Sequence, residues 1–309
     1  MNKKQIILTT VVVALLGVGS LRAQNTSSAN TMAPEEVTYQ DVVVSVYAPG
    51  VAAMPFKGGD ADWTTKIGYA VGLGADYTYW FSRHVGFSAG LKLTYMTNTQ
   101  KCENFSTDFS GPLSITTSGS AVNTPANTLV DLRGRATNVS ELRTMTFAEI
   151  PVRLSFANDD FYGNIGVAVD VAVTNYSSFS YEGTSYQITG LPTMGISLPN
   201  VPVSLEDTKT GSNLQSTDAG WPFYVLLAAE AGYKFKLDDH NTISLGLYGR
   251  YAVVDSKPNG ELNAFNLNSN RRVYVAQPSA TPMVEKIGYY EFGLRIAYHY
   301  GIGSTKTYF

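Results

Sequence analysis

Cysteine, charge and long apolar runs are all scarce in this chain of 309 residues. Its single cysteine, Cys102, excludes an internal disulfide, and because it falls in a polar stretch we interpret it as an incidental loop thiol rather than a nucleophile. Only 15% of the residues are charged and the formal net charge is −3, which excludes the concentrated basic surface that nucleic-acid binding requires. Beyond the N-terminal region no stretch approaches the ~18 consecutive apolar residues of a spanning helix, so any membrane insertion must use strands.

The N-terminus has the pattern of a secretory signal peptide. Lys3 and Lys4 precede an apolar run from Ile6 to Val18, and Ala23 is a small residue suited to the position before a cut. The run is too short for a membrane anchor, and no cysteine follows it to carry a lipid. We therefore predict a signal peptide over residues 1–23. Residues 24–38 are rich in Asn, Ser and Thr and are predicted to form a flexible periplasmic segment.

Strict alternation of side chains is the main pattern after residue 38, and Phe161–Thr174 shows it best. One face of this predicted strand carries branched apolar residues, while Gly, Ala and Asp170 occupy the other. The small face suits a narrow interior and the apolar face suits lipid. The same pattern recurs in seven more segments, which are Val42–Tyr47, Ile67–Phe81, Val85–Met96, Thr144–Phe156, Trp221–Leu237, Thr242–Val254 and Ile287–Tyr300.

Long and short connections alternate between these eight predicted strands. Even strand number, short periplasmic turns and long external loops are typical of outer-membrane barrels. The sequence therefore predicts an all-β fold over residues 39–309, an eight-stranded antiparallel up-and-down transmembrane β-barrel in the bacterial outer membrane, with both termini in the periplasm. Residues 98–142 and 177–219 are predicted to be long extracellular loops. Short hairpins are expected at Leu113–Thr117 in the first of these loops and at Arg272–Ala276 in a later loop.

Aromatic residues cluster near the predicted strand ends, as the two interfaces of a bilayer require. We assign to the turn side Tyr77, Tyr79, Trp80, Phe161, Tyr162, Tyr233, Phe235, Tyr298 and Tyr300, and to the loop side Tyr69, Tyr95, Tyr176, Trp221 and Tyr290. The competing architecture is a soluble barrel such as a lipocalin. Its water-facing wall would need charged residues throughout, whereas the second face here is mostly Gly, Ala and Ser.

The fourth strand carries the segment Glu149-Ile150-Pro151-Val152. It resembles the E-I-P motif of the PorT-like outer-membrane β-barrel family of Bacteroidota, and the architecture resembles OmpA/OmpX-like eight-stranded barrels. The resemblance implies an outer-membrane barrel and, more weakly, an accessory role in a secretion system. Pro151 lacks an amide hydrogen and so favours a bulge or a distorted pairing position. Phe309 is similar to the terminal aromatic used in barrel assembly, although residues 301–308 lack apolar alternation.

Ten charged residues fall on the small-residue face and form the candidate site. They are Asp76, Lys92, Glu149, Arg153, Asp170, Glu230, Lys234, Arg250, Glu291 and Arg295. Charges removed from water must be paired, and an eight-stranded barrel is just wide enough for side chains to fill. We interpret the set as a salt-bridged network that rigidifies the barrel, with a gated polar path or a proton or ion site as the alternative. Glu149 and Arg153, four residues apart on one face, are expected to contact each other or a shared neighbour.

No pattern in the chain indicates catalysis. His84, His240 and His299 lack close ligand spacing, and no glycine-rich phosphate motif opens a helix, so we expect no enzymatic activity, no metal and no cofactor. The predicted function is a structural or surface-interaction role through the long external loops. The alternatives are a narrow porin-like or small hydrophobic-solute transport protein and a secretion accessory. The predicted partners are outer-membrane lipid and lipopolysaccharide, the barrel-assembly machinery, and extracellular or cell-envelope proteins, with no nucleic acid.

Overall fold

The computed structural model describes residues 39–59, 61–112, 129–158, 160–191, 196–207, 222–238, 240–256, 264–267, 273–275 and 278–302. The predictions of a signal peptide over 1–23 and of a flexible segment over 24–38 lie outside these residues. So do those for Leu113–Thr117, Trp221 and Phe309. No helix in the described part of the chain is long and apolar enough to cross a membrane.

Fourteen strands are described. In chain order they are β1 (Tyr39–Ala53), β2 (Phe56–Lys57), β3 (Thr64–Trp80), β4 (Val85–Pro112), β5 (Leu129–Ala157), β6 (Phe161–Ser180), β7 (Gly183–Leu191), β8 (Ile196–Asp207), β9 (Phe223–Lys236), β10 (Asn241–Val254), β11 (Phe265–Leu267), β12 (Val273–Val275), β13 (Lys286–Ile287) and β14 (Tyr290–Ile302). A 3₁₀ turn spans Pro278–Ala280.

Eight of these strands close into a ring. Its order is β4, β3, β1, β14, β10, β9, β6 and β5, and the pairing of β5 with β4 completes it. Every pairing in the ring is antiparallel. The predicted eight-stranded antiparallel barrel is therefore confirmed. The eighth ring strand begins at Tyr290, later than predicted, because Ile287 belongs to β13, which pairs with β2.

The barrel is apolar outside and small or polar inside. On β1, Val44 is 55% exposed on the outer face, whereas the neighbouring Val43 is 2% exposed inside the ring. Leu73, Leu91 and Phe292 are likewise more than half exposed on the outer face. A soluble protein rarely leaves so large a contiguous apolar surface in water. A closed ring with this exterior has the construction of a barrel solvated by lipid.

Exposed aromatic side chains lie towards both ends of the barrel. Tyr69, Tyr95 and Tyr176 mark the end of the long connections, and Tyr79 and Phe235 mark the opposite end, which carries the short turns after β3, β5 and β9 and is called the turn end below. Trp80 and Tyr162 were assigned wrongly to this exposed set. Both side chains are buried, because they fall on the inward phase of β3 and β6.

Two segments predicted as loops contain long strands. β4 continues through residues 98–112 and β5 begins at Leu129, although residues 98–142 were expected to be a loop, and β7 and β8 lie within the second predicted loop, 177–219. We call residues 97–112, residues 129–140, β7 and β8 together the extension. The 16 residues that follow Met96 in β4 correspond to roughly 50 Å of strand length.

The extension has its own hydrophobic core. Cys102, Phe105 and Leu132 are buried on one face of it and pack with Phe265 and Met283 from the last connection. Cys102 is therefore a core residue of a strand, and the interpretation as a loop thiol is wrong. Burial raises the pKa of the Cys102 thiol, which disfavours the reactive thiolate. β11 and β12 form a short hairpin within the last connection, as was expected near residues 272–276.

Irregular pairing occurs where the backbone requires it. The ladder between β4 and β5 passes from the pair Ala89–Val152 directly to Lys92–Glu149 and omits the pair at Pro151, which has no amide hydrogen to donate. Between β3 and β4 the register shifts near Gly68, where a Cβ atom would lie 1.7 Å from the carbonyl oxygen of Thr97. Only glycine allows the two backbones to approach this closely.

Candidate functional site

Four of the ten candidate residues form a cluster near the turn end, called here the turn-side quartet. Arg295 lies between Asp76 and Glu230, with its Nη2 atom 3.0 Å from Oδ2 of Asp76 and its Nη1 atom 2.7 Å from Oε1 of Glu230. Arg153 approaches the same two carboxylates at 3.7 Å each. Tyr162 donates a hydrogen bond of 2.6 Å to Glu230. Two acids and two bases on four different strands thus form a closed neutral set.

Four more residues form a second cluster nearer the extension, the extension-side quartet. Arg250 bridges Glu149 and Glu291, and its Nη2 atom lies 2.6 Å from Oε2 of Glu291. Lys92 lies 3.7 Å from both carboxylates. All four side chains are almost completely buried. Tyr248 and Tyr289 each donate a hydrogen bond to Glu291, so phenol groups complete the coordination of this carboxylate.

Tyr47 lies between the two quartets. The Nζ atom of Lys92 lies 3.6 Å from the centroid of its ring, and the guanidinium carbons of Arg250 and Arg295 lie 5.7 and 5.6 Å from it. Arg153 donates a 3.5 Å hydrogen bond to its hydroxyl group. The π face of a tyrosine attracts cations, so this ring connects both quartets. The sequence signal for Tyr47 was a large aromatic residue on a face of β1 otherwise built from smaller side chains.

Glu149 and Arg153 do not pair with each other, because each joins a different quartet. They share neighbours instead. Tyr47 lies within contact distance of Arg153 and of Lys92, the ion-pair partner of Glu149. A small cavity of about 10 Å³ is also lined by both Glu149 and Arg153. Of the two expected arrangements, a direct Glu149–Arg153 contact and a contact through a shared neighbour, the geometry matches the second.

Asp170 and Lys234 belong to neither quartet. Asp170 is completely buried beside Glu149 on one neighbouring strand and Tyr224 on the other, and neither carboxylate oxygen has a hydrogen-bond partner among the described residues. Lys234 lies near the turn end, with its ammonium group 5.0 Å from the ring centroid of Trp80. Within the described chain it forms no ion pair.

Three buried charges escaped the sequence analysis. Asp41 accepts a 2.8 Å hydrogen bond from the indole of Trp80. Glu141 accepts hydrogen bonds from the backbone amide and hydroxyl groups of Ser279, at 2.9 and 2.5 Å. Arg143 is fully buried and contacts Asn175 at 3.4 Å. Glu141 and Arg143 continue the inward phase of β5 set by Glu149, so alternation carried beyond Thr144 would have found them.

The interior contains almost no free space around the quartets. Two cavities lined by described residues of the quartets have volumes of about 20 and 10 Å³, room for at most about one water molecule each. Towards the extension, Phe147, Tyr224 and Tyr289 pack with ring centroids 5.4–5.8 Å apart within a larger apolar cluster. The two quartets are therefore each neutral and paired, and they lie in a packed core capped by an apolar plug.

The three histidines occupy different environments near the turn end. His84 contacts the carbonyl oxygen of Ala157 at 2.9 Å through Nδ1, and the Nε2 atom of His299 lies 2.8 Å from the hydroxyl oxygen of Ser244. His240 follows Asp238 in the turn after β9. In the part of the chain that the structure describes, no three His, Cys, Asp or Glu side chains are grouped as a metal site requires.

No protein-family model and no curated protein matches this chain. Among solved structures, OprG of Pseudomonas aeruginosa is similar at 12% identity and a TM-score of 0.31, over 87% of this chain and 97% of that one. The outer membrane protease OmpT of Escherichia coli shows 9% identity and a TM-score of 0.32, over 90% and 100%. Ail of Yersinia pestis shows 12% identity and a TM-score of 0.22, over 85% of this chain and 99% of that one. At these values none defines a family or a role, and the barrel assignment rests on the chain's own strand pairing.

Proposed function

We propose that this protein is an integral barrel of the bacterial outer membrane that holds a folded extension outside the cell for contact with a partner, and that it is not an enzyme. The observation that carries the proposal is the buried core of the extension, in which Phe105, Leu132 and Phe265 are completely inaccessible to solvent. Because one face of the extension is packed, its opposite face is a surface of fixed shape rather than a set of flexible loops.

The outer face of the extension is polar and carries charges of both signs. Cross-strand pairs join Asn104 to Thr137, Ser106 to Arg135 and Asp108 to Arg133. Arg133 donates two hydrogen bonds to Asp108, at 2.7 and 2.9 Å. This face suits water and polar recognition, in contrast to the apolar exterior of the barrel below it.

A cavity of about 640 Å³ lies along β4, β5 and β7 on the extension. Its lining includes Asn104, Arg135, Thr137 and Glu182. A concave region of this size with several polar groups has the features of a recognition site.

The proposed orientation places the turn end in the periplasm and the extension outside. Short turns at the periplasmic side and long elements outside are the rule for such barrels. The apolar exterior would contact outer-membrane lipid and lipopolysaccharide. Membership of the PorT-like family of Bacteroidota, suggested by Glu149-Ile150-Pro151, is part of the same proposal, and a secretion component is then one candidate class of partner.

The test uses a photo-crosslinking amino acid at Ser106 or Thr137 in intact cells, with His240 at the turn end as the matched control position. We expect both outer-face positions to form the same adduct and the control position to form none of it. The purified partner should then bind the bilayer-inserted protein and lose affinity for an Arg133→Glu/Arg135→Glu variant. Failure of this second step, or adducts that are identical at all three positions, would contradict the proposal.

Substitution is a sharper test here than deletion of the long connections. The extension shares its core with Phe265 and Met283, so its removal would expose those apolar side chains and change more than the binding surface. Charge reversal at two exposed arginines leaves that core intact. The barrel of the Arg133→Glu/Arg135→Glu variant should retain its heat-modifiable mobility in gels.

A narrow transport role is the competing function, and the packed interior argues against it. The paired quartets and the aromatic plug leave no ligand-sized path between the ends of the described interior. We therefore expect no single-channel conductance from the purified protein in planar bilayers. Reproducible conductance steps that change in an Arg250→Gln variant would favour the transport function instead.

A further inference from the structure

The turn end of the barrel contains a cavity lined by basic side chains. It has a volume of about 200 Å³, comparable to that of six or seven water molecules. Arg83 and His84 from the turn after β3 line it, together with Lys234 and Lys236 on β9. No aspartate or glutamate is among its described lining residues. Basic groups from separate elements thus surround one small space.

Lys234 is the interior base whose ammonium group lies at this cavity. It is the one base of the ten interior charges that joins neither quartet, and it forms no ion pair with any described residue. Its ammonium group is partly buried beside the face of Trp80, and the nearby carboxylate of Asp41 accepts the hydrogen bond of the same indole. A partly buried ammonium group is stabilised by an anionic partner.

Two further described carboxylates near this end, those of Asp160 and Asp238, are also engaged, and the side chain of Asp160 is hydrogen-bonded to Tyr233. Asp238 accepts hydrogen bonds from the backbone amides of His240 and Asn241 at 2.8 Å and from the Asn241 side chain at 2.7 Å. These bonds hold the pKa of Asp238 below its usual value, so it stays ionised within its own turn. His84 donates from Nδ1 to the Ala157 carbonyl oxygen, so in the imidazolium form Nε2 is a second donor that is available to an anion.

We propose that this basic cavity at the turn end binds a phosphate group. A tetrahedral phosphate presents oxygen atoms in several directions, which matches ammonium, guanidinium and imidazole groups that come from separate elements, whereas a carboxylate offers two oxygens in one plane. The phosphate is that of a phospholipid headgroup at the neighbouring bilayer surface or that of a small soluble ester. This site is independent of the extension, so its failure leaves the proposed function untouched.

The test measures binding of glycerol 3-phosphate and inorganic phosphate to the folded full-length protein in maltoside detergent. Calorimetry gives the affinity, and Trp80 fluorescence gives a local signal because Trp80 lies beside Lys234 and stacks on Tyr39, which also lines the cavity. Lys234→Gln should weaken binding about tenfold or more, since a hydrogen bond to a charged group is lost. Lys101→Gln on the extension is the matched control and should bind like the unmodified protein.

Arg83→Gln provides a second variant at an exposed turn, in case Lys234→Gln disturbs folding. Absence of phosphate binding by the unmodified protein would overturn the proposal, as would equal affinity in folded samples of both cavity variants. The same titration in phospholipid nanodiscs separates the two sources. Loss of soluble phosphate binding there indicates that a lipid headgroup occupies the cavity, and unchanged binding indicates a soluble ester.

Discussion

Replacing Arg295 with methionine is expected to lower the free energy of unfolding by about 3–5 kcal/mol, the usual cost of removing one partner from a buried ion pair. Arg295 provides the two short contacts of the turn-side quartet, to Asp76 at 3.0 Å and to Glu230 at 2.7 Å. Without it, two buried carboxylates face Arg153 alone, at 3.7 Å each. The neutral quartet becomes a buried site with one uncompensated negative charge.

The measurement is denaturant unfolding of the refolded protein in lipid vesicles. Arg133→Met is the matched control, because it also removes an arginine paired with an aspartate, but at an exposed position where water screens the charges. We expect that control to change stability little. The double variant Arg295→Met/Glu230→Gln restores the charge balance of the quartet and should recover part of the loss. An Arg295→Met variant as stable as Arg133→Met would show that the quartet contributes little to folding.

Introducing a charge on the outer wall is expected to have the second-largest effect. Leu227 is 52% exposed on β9 and lies between the aromatic residues Phe223 and Tyr233 of the same strand, near the middle of the apolar band. Leu227→Arg should lower the stability of the bilayer-inserted barrel by about 2–4 kcal/mol, because the guanidinium group must lie in hydrocarbon. The readout is unfolding of the protein in vesicles.

Thr137→Arg on the outer face of the extension is the matched control for Leu227→Arg. Both changes place an arginine at an outward position of a ring or extension strand, but Thr137 lies on the polar surface, where we expect almost no change in stability. Equal effects of the two substitutions would contradict a lipid-facing exterior. Recovery of folded Leu227→Arg protein from the soluble fraction would contradict it as well.

The strands and their faces were predictable from the sequence. In Phe161–Thr174, alternation assigned the branched apolar face to lipid and Asp170 to the interior, and the exposure of Ile165 and Val167 and the burial of Asp170 match both assignments. Pro151 indicated a distorted ladder, and the pairing skips that position. The extension was not predicted, because its strands lack the apolar outward face that marks a lipid-facing strand. From residue 101 to residue 109 the outward side chains are polar, while Cys102, Phe105 and Phe109 pack inside, which is the pattern of a strand that has left the lipid.

The pairing within the candidate site could not be read from the sequence. Ten inward charges in equal numbers predicted neutrality, but not that Asp170 and Lys234 would stand apart while Tyr47 and Tyr162 joined the quartets. Lys234 falls near the turn end and Asp170 beside Glu149, and the two are separated by the packed interior. The surroundings of each charged side chain, and not the equal numbers of acids and bases, therefore decide which charges pair.

Alternation along a strand is local, because successive side chains point to opposite faces whatever the strand pairs with. For this protein the sequence alone therefore determined that each spanning strand has an apolar and a small or charged face, and hence that a closed barrel faces lipid. Closure of the ring decided which distant side chains meet inside the barrel. It brings Asp76 and Arg295, 219 residues apart, into one ion pair, and it places Lys234 in the wall of a basic cavity at the turn end. Contacts between distant strands depend on their order and register around the ring, and no single strand contains that information.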